Sequence, residues 1–87
     1  MVEELLLSKG FNKNWYDESK VYYEYEDINN NERTKEIAKL FGAGHIEYDI
    51  KCLILQCDEI FTNCLLYIDC VDWTMSTEEF IACVKQM

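Results

Sequence analysis

The sequence predicts an α+β fold: a small single domain of 87 residues in the order α-β-α-β-β-α, with a three-stranded, mainly antiparallel sheet packed by helices on one face. Two kinds of pattern carry this. Apolar residues recur at helical spacing near both ends and in the middle of the chain, and they alternate with polar residues over Val21–Asp27 and again beyond residue 45.

The first helix rests on Val2, Leu5 and Leu6, with Gly10 as its stop. So short a helix is marginal alone and must dock on the rest. Over 21–27, Val21, Tyr23 and Tyr25 point one way while Tyr22, Glu24 and Glu26 point the other, which predicts a strand with one buried and one acidic face. A helix through 15–28 is the competing assignment. Asn29 and Glu32 stand at capping-box spacing, Ile37, Leu40 and Phe41 line one side of the central helix, and Gly42 and Gly44 end it.

Residues 45–57 and 60–72 read as two long strands. Ile46, Tyr48, Ile50, Cys52 and Ile54 share one parity; Thr62, Cys64, Leu66, Ile68 and Cys70 share another. A three-residue loop at 58–60 sets Ile54 opposite Cys64, Cys52 opposite Leu66 and Asp49 opposite Asp69. A one-residue slip would swap the faces. The last helix starts at Ser76, where Ser76 and Glu79 form a capping box and Phe80, Cys83, Val84 and Met87 supply anchors at i, i+3, i+4 and i+7.

Charge is distributed unevenly. The segment WYDESKVYYEYEDINNNE, Trp15 to Glu32, holds six carboxylates against one cation and so carries −5 of the net −9. With eight cations against seventeen anions, direct nucleic-acid binding is disfavoured, because such binding draws on Lys and Arg to neutralise phosphates.

Other classes find little support. The apolar run Leu5-Leu6-Leu7 is too short for a signal peptide, and no window reaches the roughly 20 apolar residues of a membrane span, so a cytoplasmic location without membrane contact is expected. Five cysteines, an odd number with four of them set in strongly apolar runs, suit reduced core thiols better than a disulfide scaffold. Their spacings, Cys52-x₄-Cys57, Cys57-x₆-Cys64 and Cys64-x₅-Cys70, are not those of zinc ligands. His45 is the sole histidine, and nothing in the sequence pairs it with a thiol. No phosphate-loop, dinucleotide, HExxH or GxSxG motif occurs. Neither an enzyme, a cofactor nor a metal site is expected.

What remains is the acidic, tyrosine-rich stretch. On a strand, Glu24 and Glu26 stand about 7 Å apart on one face, and Asp17, Glu18, Asp27 and Glu32 extend the line. The expected contacts are Asp17, Glu18, Tyr22, Glu24, Glu26 and Asp27, and the expected partner is a basic, nucleic-acid-handling protein whose Lys and Arg pair with carboxylates. By analogy of class alone, compact acidic inhibitors of this kind include phage anti-CRISPR proteins and immunity proteins against nucleases. Seven lysines against one arginine, with many Ile, Asn and Tyr, fit the AT-rich coding of a low-GC bacterium or its phage. Two other readings stand beside it. An acidic strand face is often only the wet side of a sheet, and a small sheet with open edges often pairs with its own copy as a homodimer.

Overall fold

Val21, Tyr23 and Tyr25 are buried while the residues between them are not, so the alternation in sequence becomes the two faces of a strand. The computed structural model describes residues 2–17, 20–58 and 64–87, with the backbone alone at 15–17. It contains α1 (Val2–Ser8), β1 (Phe11–Asp17), β2 (Lys20–Tyr25), α2 (Asn31–Leu40), β3 (Leu53–Asp58), β4 (Cys64–Ile68), β5 (Val71–Met75) and α3 (Thr77–Gln86). The class is α+β, but the sheet has five strands rather than three. The order is α-β-β-α-β-β-β-α, and every strand lies antiparallel to its sequence neighbour, β1-β2-β3-β4-β5.

Two hairpins account for the extra strands. β1 runs beside β2, from Phe11 opposite Tyr25 to Asp17 opposite Lys20, with a bulge between Lys13 and Trp15. The bulge breaks the period-two pattern that would mark β1 in the sequence. Of the predicted strand 60–72 and the loop at 58–60, residues 59–63, Thr62 among them, lie outside the described residues. The rest of the strand is interrupted at Asp69-Cys70, where both residues take left-handed backbone (φ 48° and 74°) and Ile68 pairs with Val71 across them. A two-residue turn with both central residues at positive φ matches strand twist.

The predicted register between the long strands is also corrected. Leu53 faces Ile68, Ile54 faces Tyr67, Leu55 faces Leu66 and Gln56 faces Leu65. β3 begins only at Leu53, and its buried residues are Leu53, Leu55 and Cys57, so Ile54 lies on the other face. Residues 43–52 run as connection, burying Ile50, whose N–H donates to Asn31 Oδ1 at 2.9 Å. Asp49 does not face Asp69. Instead Asp69 Oδ1 accepts the N–H groups of Lys51 (3.0 Å) and Cys52 (2.9 Å).

All three helices cover the same face. Leu6 of α1, Ile37 and Ala38 of α2, and Phe80 and Val84 of α3 join the inward strand residues in one core. The cap of α2 is Asn30, not Asn29; its side chain accepts from the Arg33 N–H at 3.3 Å. Ser76 and Glu79 close the expected capping box on α3. α2 is held to α3 where the Phe41 and Phe80 rings lie 5.8 Å apart, where the Cys83 thiol donates to the Leu40 carbonyl at 3.0 Å, and where Arg33 Nη2 donates to the Met87 carbonyl at 3.2 Å. Gly10 (φ 95°) turns the chain from α1 into β1, where an added Cβ would stand 3.3 Å from the Tyr25 ring.

Candidate functional site

With α1, α2 and α3 all on one side, the opposite face of the sheet carries no helix among the described residues. Its composition follows from the registers. One row across the strands reads Asn12, Glu24, Ile54, Tyr67, Asp72; in the next, Tyr22, Gln56, Leu65 and Thr74 stand on β2 to β5. Tyr22, Ile54, Leu65 and Tyr67 are half-buried, and none is among the core residues or the partly buried hydrophobics packed against them. The middle of this face is therefore apolar and aromatic, with Glu24 on one flank and Asp72 on the other.

The two carboxylates most expected to act are held in place. Asn14, the residue at the bulge, donates its side-chain amide to Glu24, and Asn12 donates to Glu26. A bulge re-aims the side chain it displaces, so the irregularity that hid β1 in the sequence also positions Glu24. Glu24 and Glu26 with Lys51, Cys52 and Leu53 line a shallow hollow of about 170 Å³ at the end of the β2–β3 pair.

The six expected contact residues do not form one cluster. Tyr22 and Glu24 share the uncovered face of β2, Glu26 follows at the bend, and Asp27, exposed, opens the turn into α2, its carbonyl accepting from Asn30 N–H at 3.0 Å. Asp17 lies at the far end of β2's partner strand, its backbone opposite Lys20. That is six residues of strand, about 20 Å, from Glu26. Glu18 lies outside the described residues. Glu32 belongs to α2, in the layer on the other side of the sheet. Lys20 in turn stands opposite Asp58, so charge is partly balanced at that end. Among the described residues, Glu24, Glu26 and Asp27 gather at the opposite end of β2, with Lys51 beside the first two in the hollow.

Sequence reasoning missed Ile54, Leu65, Tyr67 and Asp72 as members of this face. With the β3–β4 register displaced, Ile54 was assigned to the core.

The thiols and the histidine lie elsewhere in chemical terms. All five cysteines are free; Cys57 and Cys64 are buried and Cys70 is exposed. A hydrogen bond with Cys64, together with burial, holds the Cys57 thiol well above the ordinary thiol range. Burial likewise pushes Cys52 and Cys83 up, with Glu24 and Asp69 adding to the effect on Cys52 and Glu79 to that on Cys83. A nucleophilic thiol needs the opposite shift; the hydrogen bond with Cys57 lowers Cys64 in that sense, but Cys64 is buried in the sheet, out of reach of a substrate. His45 is exposed and meets Glu47 Oε1 at 3.5 Å. Among the described residues, no group of three or more His, Cys, Asp or Glu is placed to hold a metal ion, and no helix is long and apolar enough to cross a membrane. Compared with known protein families, curated proteins and solved structures, the chain finds no match.

Proposed function

We propose that this protein is a small acidic protein-binding module that inhibits a basic, nucleic-acid-handling partner by occupying its nucleic-acid-binding surface. Glu24, Glu26 and Asp27 take the places of phosphates, and Tyr22 lies beside them as an aromatic contact. Asp17, at the other end of the β1–β2 hairpin, extends the contact, and Glu18, outside the described residues, is proposed to join it. The observation that carries this reading is the pair of amide contacts, Asn14 to Glu24 and Asn12 to Glu26, which hold two carboxylates near Tyr22 on a face that no helix among the described residues covers. Carboxylates already fixed lose less side-chain entropy when they meet Arg or Lys. Association through them is fast and weakens as salt rises.

The test is retention of one defined nucleic-acid-binding protein on the immobilised chain, washed through a salt series and competed with DNA or RNA. The double variant Glu24→Lys, Glu26→Lys loses retention and its salt dependence while keeping its circular dichroism spectrum. Unchanged retention by that variant removes these carboxylates from the interface.

A second reading is a homodimer formed through a sheet edge. It is favoured by β5, an edge strand on which Val71 is 53% exposed. Dimerisation insensitive to salt and abolished by Val71→Lys marks that case.

A further inference from the structure

The uncovered face has dimensions as well as composition. In the row Glu24, Ile54, Tyr67, Asp72, the two apolar residues stand on the adjacent central strands β3 and β4, and a carboxylate stands on the strand to either side. Three strand spacings separate Glu24 from Asp72, about 14 Å at about 4.8 Å each. An α-helix with its side chains is about 10–12 Å across. A helix laid along β3 and β4 would therefore cover Ile54 and Tyr67 and bring its flanks over both carboxylates. The next row, with Leu65 and Tyr22, lies two residues along the strands, about 7 Å away. Apolar residues four apart on a helix rise about 6 Å, close to that repeat.

Charge decides the kind of helix. A second copy of this chain, itself at −9, would bring a second set of carboxylates against this face. A helix with Lys or Arg on both flanks of its apolar stripe meets Glu24 and Asp72 with opposite charge and covers the apolar centre.

We infer that the uncovered face of β2–β5 is a docking site for a cationic amphipathic helix of the partner, with apolar anchors on Ile54, Leu65 and Tyr67 and cations at Glu24 and Asp72. This rests on the reading of the protein as a binder of basic partners and names the partner element involved. It also moves the centre of the interface from the carboxylates of β2 to the apolar residues of β3 and β4.

The probe is a synthetic helical peptide of about 18 residues, long enough to hold helix, with a leucine stripe at i, i+4, i+7 and arginines on both flanks. A control peptide of equal charge carries serine in place of leucine. Binding is followed by amide chemical-shift changes in the whole chain. The leucine peptide saturates, shifting the amides of Ile54, Leu65 and Tyr67, and the serine peptide binds at least about tenfold more weakly. The double variant Ile54→Thr, Tyr67→Thr places β-branched threonine, which suits a strand, at both positions, and its fold is checked by its own amide spectrum. In it, the affinity for the leucine peptide falls about tenfold or more.

Three results overturn the proposal. Equal binding of both peptides, lost in Glu24→Lys, Glu26→Lys but not in Ile54→Thr, Tyr67→Thr, leaves a purely electrostatic surface and spares the broader reading. No saturable shift with the leucine peptide, alongside salt-sensitive retention of a basic protein, rejects the helix and spares the basic partner. Self-association abolished by Ile54→Thr, Tyr67→Thr makes the occupant a second copy, and the basic-partner reading then falls as well.

Discussion

Asp69 and Cys52 bond to each other in both directions: the Asp69 N–H donates to the Cys52 carbonyl at 3.2 Å, and the Cys52 N–H donates to Asp69 Oδ1 at 2.9 Å. The same carboxylate oxygen takes the Lys51 N–H, so one side chain at the β4–β5 turn ties down the entry to β3. Asp69→Ala removes an acceptor from two backbone donors and puts alanine at positive φ; a loss of about 2–3 kcal/mol is expected from the two effects. Asp69→Gly removes the acceptor but relieves the backbone, and should lose less than Asp69→Ala. Urea unfolding midpoints of the two variants against the parent separate the terms. Equal loss in both assigns the whole effect to the carboxylate.

The second turn residue is a poor fit for its backbone. Cys70 sits at φ 74°, a region that costs a non-glycine residue about 1–2 kcal/mol. Cys70→Gly produces Asp-Gly, a preferred pair for this turn, and gives up part of the gain to the greater freedom of glycine when unfolded. The expected net stabilisation is about 0.5–1 kcal/mol, read from the denaturation midpoint. An unchanged or lower midpoint shows that the exposed thiol makes a contribution of its own.

α1 is fastened through Glu3, whose carboxylate accepts from Tyr23 Oη at 2.9 Å and meets Lys13 Nζ at 3.1 Å. The hydrogen bond from Lys13, then that from Tyr23, holds the Glu3 carboxyl below its ordinary value of 4.5. This stabilisation is present in full above pH 4.5 and is lost as pH falls through the lowered folded value. Glu3 and Lys13 are both well exposed, so screening keeps the contribution small. Burial, then the Glu3 carboxylate, pushes the Tyr23 hydroxyl above its ordinary value of 10. That stabilisation is present below pH 10 and is lost as pH rises through the folded value. Tyr23→Phe should cost about 1 kcal/mol at neutral pH and flatten the alkaline limb of stability against pH, while Glu3→Gln flattens the acid limb. A parent-like alkaline limb in Tyr23→Phe excludes this hydroxyl as its source.

Thiol labelling reports the layering of the molecule directly. Cys70 is exposed and should react with a neutral-pH thiol reagent in the native state, while Cys57 and Cys64, buried in the sheet, should react only on unfolding. Mass spectrometry of the partly labelled chain identifies the site. Early labelling of Cys57 or Cys64 means that the β3–β4 pair opens locally.

Much of the helical layer and one strand were legible in the sequence, because their signals are short-range. The Ser76–Glu79 box, Gly10 after α1, and the alternation of Val21, Tyr23 and Tyr25 each depend on residues within one or two turns or one strand. β1 was not legible, since Asn12, Lys13 and Asn14 offer no apolar period and the bulge shifts what period there is. The register of β3 and β4 failed for another reason. From Ile50 to Cys57 apolar residues occupy both parities, so Ile46, Tyr48 and Ile50 outweighed Leu53, Leu55 and Cys57, and only the Asp69 turn fixes which set faces inward. The site divides along the same line. Tyr22 and Glu24 follow from one strand, whereas Ile54 and Tyr67 join them only once three strands are in register.

The order β1-β2-β3-β4-β5 also bears on how the chain reaches this state. No strand has to wait for a distant partner, and only the β2–β3 junction closes a long loop, the one that contains α2. The hairpin β1–β2 and the three-strand unit β3–β4–β5 can each form early from neighbouring residues, leaving one slower event in which Val21 and Tyr23 meet Cys57 and Leu55. Substitutions at that seam should slow refolding, while those in the terminal helices should chiefly speed unfolding.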